Sequence, residues 1–172
     1  MALGYVEILT RRASQGIVEC EHALALDRNL ANAHSFIGLG KVCIGRAKET
    51  EAHIGEALRL SPQDTLACNW MTYAGTAHLH LGSYEEAIVW LRRSIEANRN
   101  YSIAFFLLAA ALIQVSRLDE AHSSVKAGLA LTPTFSIYRA RALWKTMSDD
   151  PAYLAGFECA LDSMRKAGVP DQ

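Results

Sequence analysis

Apolar positions recur at helical spacing along nearly the whole chain. The clearest stretch is Cys68 to Asn100, CNWMTYAGTAHLHLGSYEEAIVWLRRSIEANRN. Its pattern breaks at Gly82-Ser83 and reopens at Glu85-Glu86-Ala87, which predicts two helices joined by a tight turn. Small residues Ala74 and Gly75 in the first helix, and Ala87 early in the second, let the two backbones approach closely. Bulky neighbours Trp70, Leu79, Leu81, Ile88, Leu91 and Ile95 can then interlock. One such hairpin cannot bury its apolar faces alone and needs stacked copies of itself.

The copies are present. A forward shift of 34 residues lays Gly82-Ser83-Tyr84-Glu85-Glu86-Ala87 over Ser116-Arg117-Leu118-Asp119-Glu120-Ala121, Gly75 over Ala109 and Leu91 over Val125. A backward shift of 37 lays the same turn over Gly45-Arg46-Ala47-Lys48-Glu49-Thr50, and Gly75 over Gly38. Two of the second helices close alike, at Ala57-Leu58-Arg59-Leu60-Ser61-Pro62 and Gly128-Leu129-Ala130-Leu131-Thr132-Pro133, where proline removes a donor. Ala23-Leu24-Ala25-Leu26-Asp27 is part of a fourth copy. Register, small residues and terminal prolines together resemble the tetratricopeptide repeat (TPR) family. That resemblance implies an all-α, right-handed superhelical TPR solenoid. It would hold about three full repeats, a partial N-terminal hairpin and a C-terminal capping helix.

In this reading the chain is a single TPR domain, 1–172. A partial repeat covers 1–28, full repeats cover 29–64, 65–100 and 101–134, and a connector with the capping helix covers 135–172. The first helix runs from Met1 to about Gln15 and the second from Gly16 to Asp27. Asn29 and Asn32 are candidate caps for the helix that follows, and Asp64 and Thr65 for the next. Residues 63–67 absorb the three extra residues of the 37-residue step. The helix Ala104 to Ile113 is apolar on nearly every side, so it is either covered all round or offers a binding surface. Residues 134–147 read equally as a helix or as a connector. Ser148-Asp149-Asp150-Pro151 is a helix start, and Tyr153, Leu154, Phe157, Leu161 and Met164 share one face of the last helix up to about Ala167.

Composition narrows the function. The chain is 51% hydrophobic and 20% charged, so it can bury a core. Its net charge of −1 provides no basic field for nucleic acid or an anionic membrane. No apolar run reaches membrane-spanning length and no leader pattern opens the chain, so the expected location is cytoplasmic. Cys20, Cys43, Cys68 and Cys159 stand far apart and read as small core residues. His78 and His80 are two apart and share no helix face, so no i,i+4 metal pair forms. Adjacent carboxylates at Glu85-Glu86, Asp119-Glu120 and Asp149-Asp150 suit helix N-termini. Gly38-Leu39-Gly40 follows no strand and lacks phosphate-loop spacing. Neither a metal, a cofactor nor a catalytic residue is expected, and the chain is not expected to be an enzyme.

In the TPR family the first helix of each pair lines a concave groove. The resemblance places Asn32, Ser35, Leu39, Asn69, Thr72, Thr76, His80, Ile103, Phe106, Ala110, Ile113 and Gln114 in it, with Val42, Cys43 and Leu79 alongside. One TPR class clamps the terminal carboxylate of chaperones with lysines, an arginine and asparagines. Those positions fall here on Ser35, Ile103, Phe106, Leu39 and Tyr73, so the clamp is absent. The expected function is a non-catalytic protein-interaction module that takes an apolar or helical peptide, or a partner domain, in this groove. Three alternatives stand beside it. The final helix or a second copy fills the groove; the apolar third repeat makes a structural homodimer; or the chain is a helical ligand-binding or enzymatic domain.

A narrower resemblance rests on RAKETEAHIGEALRLSPQD, on LHLGSYEEAIVWLRRSIEANRNYSIAFFLLAAAL and on the closing MRKAGVPD. These are similar to the carboxyl-terminal TPR regions of alphaproteobacterial adenylate cyclase-like proteins. That likeness implies a regulatory tail of a signalling protein. Cyclase chemistry needs a mixed α/β domain with two metal-binding aspartates, and nothing in these residues reads as strands.

Overall fold

The computed structural model describes residues 2–172, which form ten α-helices and no strand. In order they are α1 (Ala2–Ile8), α2 (Ala13–Leu26), α3 (Ala31–Cys43), α4 (Thr50–Leu60), α5 (Ala67–Leu81), α6 (Tyr84–Ala97), α7 (Ser102–Gln114), α8 (Leu118–Leu131), α9 (Ile137–Trp144) and α10 (Pro151–Lys166). A short 3-10 turn, Ala47–Glu49, leads into α4. Helices pair as α1–α2, α3–α4, α5–α6 and α7–α8, and each pair packs on the next through α2–α3, α4–α5 and α6–α7. The chain is an all-α helical solenoid.

One device makes the turn inside every hairpin. A residue with left-handed backbone ends the first helix: Arg11 (φ 62°), Gly45 (71°), Gly82 (73°) and Ser116 (61°). The next N–H then reaches back five residues, from Arg12 to the Glu7 carbonyl at 3.0 Å, Arg46 to Lys41 at 2.8 Å, Ser83 to His78 at 3.0 Å and Arg117 to Leu112 at 2.9 Å. This closure satisfies carbonyls that a bare helix end would orphan. Glycine adopts the left-handed region freely, whereas Arg11 and Ser116 occupy it at a cost of roughly 1–2 kcal/mol. The expected helix from Met1 to Gln15 is therefore corrected. It breaks at Thr10–Arg12, where no glycine signals a turn, and α2 begins at Ala13 rather than Gly16. Met1 itself lies outside the described residues.

Between hairpins a second device recurs. Side-chain Oδ1 atoms of Asp27, Asp64 and Asn98 accept the N–H two residues on, at Asn29, Leu66 and Asn100, each at 2.9 Å. Short carboxylate and amide side chains favour such turns because they can mimic a backbone carbonyl. Asp27 and Asn98 directly follow α2 and α6, but Asp64 comes after an added turn, Ser61-Pro62-Gln63. The three extra residues of the long step therefore sit before Asp64, not at 63–67. None of Asn29, Asn32 and Thr65 caps a helix, and α3 and α5 start without a side-chain cap.

The helices of each pair touch where the first carries a residue without bulk. A Cβ on Gly75 would lie 2.6 Å from Leu91 Cγ, one on Gly38 3.0 Å from Ile54 Cδ1, and one on Gly4 3.0 Å from Cys20 Sγ. Ala109 holds the fourth position, where the register sets it opposite the shorter Val125. Thr50, one helix over, donates its hydroxyl to the Gly38 carbonyl at 2.9 Å.

The C-terminal segment is not a further copy. Ser136 caps α9, its Oγ accepting the Arg139 N–H at 3.3 Å. Asp150 caps α10 by accepting from Ala152 and Tyr153 at 2.9 and 3.0 Å, with Pro151 in the first turn. From there α10 packs along α7, reaches α5 and touches α9. Tyr153, Phe157, Ala160, Leu161 and Met164 are its buried face, while Cys159 is the one exposed cysteine of the four. α7 is apolar on nearly every side because α6, α8 and α10 all pack on it. The segment also returns to the first hairpins. Ser148 Oγ donates to the Cys43 carbonyl 105 residues back. The Arg11 guanidinium donates to the Lys145 carbonyl at 2.9 Å and pairs with Asp149 at 3.3 Å.

The close approach at Gly75 gives a direct test. Gly75→Ala is expected to destabilise by roughly 1–3 kcal/mol, since overpacking outweighs alanine's better helix propensity. Gly55→Ala, with nothing within 4 Å of the new Cβ, is expected to stabilise by about 1 kcal/mol. Adding Leu91→Val should recover part of the Gly75→Ala loss, reproducing the Ala109–Val125 pairing. Urea unfolding measures all three, and a neutral or stabilising Gly75→Ala would refute the contact.

Candidate functional site

Helices α1, α3, α5 and α7 line one side of the stack, and α9, α10 and the connector between them face that side. A cavity of about 510 Å³ remains between the two walls. Aromatic side chains dominate it: Tyr5, Tyr73 and Tyr101 on the repeat side, and Phe135, Trp144, Tyr153 and Phe157 on the C-terminal side. Leu143, 64% exposed, and Thr146 border its mouth. Ring contacts fix the C-terminal wall. Trp144 meets Phe157 edge-on with centroids 4.5 Å apart, and the Tyr153 hydroxyl donates to the Trp144 carbonyl at 3.2 Å. Among the described residues the lining carries no Asp, Glu, Lys or Arg.

Of the twelve predicted groove residues, Leu39, Asn69, Thr72, Thr76, His80 and Ile103 line this cavity together. The other six lie elsewhere. Ser35 is fully buried and donates to the Asn32 carbonyl at 2.9 Å, and the Asn32 side-chain oxygen is buried with no partner among the described residues. Phe106 is fully buried and stacks on Phe135 with centroids 3.8 Å apart. Ala110 and Gln114 face Gly156, Cys159, Ala160 and Ser163 of α10, and Gln114 donates to Ser163 Oγ at 2.8 Å. Ile113 packs, half-buried, against the same core. The C-terminal helix thus covers Ala110 and Gln114 in the second half of α7 and leaves a hollow beside α3, α5 and the start of α7.

Sequence reasoning missed Tyr5, Leu9 and the whole C-terminal wall. The signal for Tyr5 was available, because a step of 34 residues back from Leu39 reaches Tyr5, just as the same step from Gly38 reaches Gly4. Nothing comparable exists for Trp144, Tyr153 or Phe157, since α9 and α10 lie outside the repeat.

The threonines at the floor of the cavity are engaged. Thr72 Oγ1 and Ser94 Oγ lie 2.8 Å apart, Ser94 Oγ donates to the Cys68 carbonyl at 2.7 Å, and Thr76 Oγ1 donates to the Thr72 carbonyl at 2.8 Å. His80 differs. Its ring lies against the Cα of Gly156, where a Cβ would come within 2.5 Å of Nδ1, and 5.5 Å from the Tyr153 ring. It has no hydrogen-bond partner among the described residues. Burial holds the His80 imidazole down at about 4, so it is neutral near pH 7. Burial likewise pushes the Tyr73, Tyr101 and Tyr153 phenols up, so they stay protonated.

Elsewhere, among the described residues, no three of His, Cys, Asp and Glu gather as a metal site, and no helix is long and apolar enough to cross a membrane. A second hollow of about 480 Å³ lies between α6, α7 and α8, with Arg92, Glu96, Asp119 and Glu120 around an apolar floor. The Arg92–Glu120 ion pair, 2.7 Å long, sits in it.

No protein-family model matches the sequence, and no curated protein matches it significantly. Solved structures do match in fold. A crystal structure of MamA superposes with a TM-score of 0.64 at 19% identity, covering 90% of each chain. MamA AMB-1 gives 0.64 at 22% identity, covering 96% of this chain and 94% of its own. YrrB, described as a TPR protein with an unusual peptide-binding site, gives 0.59 at 24% identity, covering 88% of this chain and 77% of its own. The chain has the fold of these proteins.

The His80 environment sets a pH dependence. The unfolded chain takes up the proton near the ordinary 6.5 and the folded one only near 4, so stability falls as pH drops from 6.5 toward 4. The loss from this group is at most roughly 3 kcal/mol. His80→Gln is expected to show a correspondingly shallower decline, measured by urea unfolding at pH 7 and about pH 4.5. Equal declines in the two proteins would mean that His80 titrates normally.

Proposed function

We propose that this chain is a non-catalytic protein-interaction module. The stacked hairpins are the scaffold, and the recognising surface is the part of the inner groove that the C-terminal helix leaves open. The observation that carries this reading is the convergence of Leu39, Asn69, Thr72, Thr76, His80 and Ile103 on one hollow. They come from three successive first helices. A surface assembled from several repeats recognises a shape rather than a single residue, which suits a partner segment better than a reacting group. The peptide-binding site ascribed to YrrB, a protein of the same fold, supports the same use.

The partner's chemistry follows from the lining. Neutral walls with exposed Leu143 at the mouth favour a segment that presents a large apolar side chain, and offer a charged terminus nothing to pair with. The likeness to the carboxyl-terminal regions of adenylate cyclase-like proteins supports a further part of this reading, in which the module serves a signalling domain as its regulatory tail. Self-association through the third repeat has less support, because α6, α8 and α10 already pack on α7.

A photo-crosslinking residue placed at Leu143 tests the module. It is expected to trap a discrete protein partner in cells, and the same residue at Val89, which is 57% exposed on α6, is not. Thr76→Arg, which sets an unpaired charge in the hollow, should reduce the Leu143 product at least tenfold. Equal trapping at both positions, or none at Leu143, would sink the proposal.

A further inference from the structure

The cavity between the first helices and the C-terminal segment has the size and lining of a small-molecule site. Its volume of about 510 Å³ falls in the range of pockets that enclose drug-sized ligands. In the partner reading an apolar side chain enters this hollow from the mouth. The interior has another character, because α10 lies across the groove and Ser148 ties the connector to α3. A continuous helix or strand cannot pass through a hollow walled on both sides, whereas a compact molecule can enter beside Leu143 and Thr146.

The walls specify the ligand's chemistry. Seven aromatic and nine aliphatic or thioether side chains line the space, so most of the ligand is apolar. No charged side chain faces it among the described residues, so an ionised head would be desolvated without a counter-ion. Several polar groups of the lining make no internal hydrogen bond among the described residues, the Tyr5, Tyr73 and Tyr101 hydroxyls among them. Neutral His80 is the one that lies against the C-terminal wall, at Gly156 and 5.5 Å from the Tyr153 ring. The proton of the nearby Thr76 hydroxyl is already committed to the Thr72 carbonyl. A neutral imidazole offers one donor and one acceptor, which matches a single hydroxyl or carbonyl. We infer that this cavity binds a neutral, mostly apolar small molecule carrying one hydroxyl or carbonyl group, held at His80. The inference shares its hollow with the proposed partner surface. A ligand and a partner's apolar side chain would occupy the same hollow, but each is measured without the other, so the two can fail separately.

The test needs no partner protein. The neutral dye N-phenylnaphthylamine should brighten on binding the full chain, and decanol should displace it. Decanoate at neutral pH, of the same length but charged, should compete at least tenfold less well. His80→Phe should retain the dye, which does not need the hydrogen bond, and weaken decanol about three- to tenfold. Thr76→Trp, which fills the hollow, should abolish dye binding with the thermal midpoint maintained. If that variant does not fold, methyl NMR of the unaltered protein decides. Decanol should shift Leu39, Leu79 and Ile103, and leave Ile54 and Ile88 unmoved. Absence of dye binding, equal competition by decanoate, a folded Thr76→Trp that still binds the dye, or shifts centred on Ile88 would each overturn the inference. Failure here with successful crosslinking at Leu143 would leave the interaction module standing, and the reverse result would leave the ligand site.

Discussion

The distance between the two helices of each hairpin governs the rest of this structure. It is set where a residue with little or no side chain meets the partner helix, at Gly4, Gly38 and Gly75 on first helices and at Gly16 and Gly128 on second ones. Gly4 meets Gly16 and Cys20, Gly38 meets Ile54 and Gly75 meets Leu91, and the repeat register sets Ala109 opposite Val125. Interiors packed to crystal-like density do not absorb an added methyl without movement. Because the contact recurs at nearly the repeat length, the hairpins share one thickness. The first helices therefore fall in a row, and a row of like helices has a common inner side. The hollow exists because the spacing is uniform.

The opposite wall obeys a different logic. α10 approaches α5 at Gly156, where the His80 ring leaves no room for a Cβ, and approaches α7 through Ala160, Leu161 and Met164. Fully burying side chains of the size of Phe157, Leu161 and Met164 contributes about 1.5–3 kcal/mol each. All three join one buried cluster with Leu91, Leu108, Leu112 and Val125, so α10 belongs to the core and not to a loose appendage. Over α7 the fit is close enough to take up Ala110 and Gln114. Over α3 and α5 the aromatic rings of Trp144, Tyr153 and Phe157 hold the wall at a distance, and space remains.

The repeats were legible because they are redundant. A turn residue, a small residue and a terminal proline each carry a weak signal, and their agreement at 34- and 37-residue shifts carries a strong one. The first hairpin was harder to see, since Arg11 takes the left-handed turn that glycine announces at Gly45 and Gly82. The groove was half legible for a related reason. Position within a repeat fixed which side Leu39, Thr76 and Ile103 face, and six predicted residues do meet in one cavity. Amphipathic spacing in α10 showed that Tyr153, Phe157 and Leu161 would be buried, but spacing does not say against what. A helix outside the repeat can pack on the end of the stack or along its inner side, and that choice depends on shape at Gly156 and on long-range bonds such as Ser148 to Cys43. Neither has a local signature.

The tether between Ser148 and Cys43 also bears on how the molecule is made. Each hairpin closes through neighbours in sequence and packs on the one before it, so the repeats can assemble in chain order as they leave the ribosome. The inner faces of α5 and α7 have no cover until residues 148–172 arrive, and α9 awaits the Pro170 and Asp171 carbonyls that receive its first N–H groups. For much of its synthesis the nascent chain therefore presents a greasy trough to the cell. Residues 148–172, made after the repeats, turn that trough into a chamber.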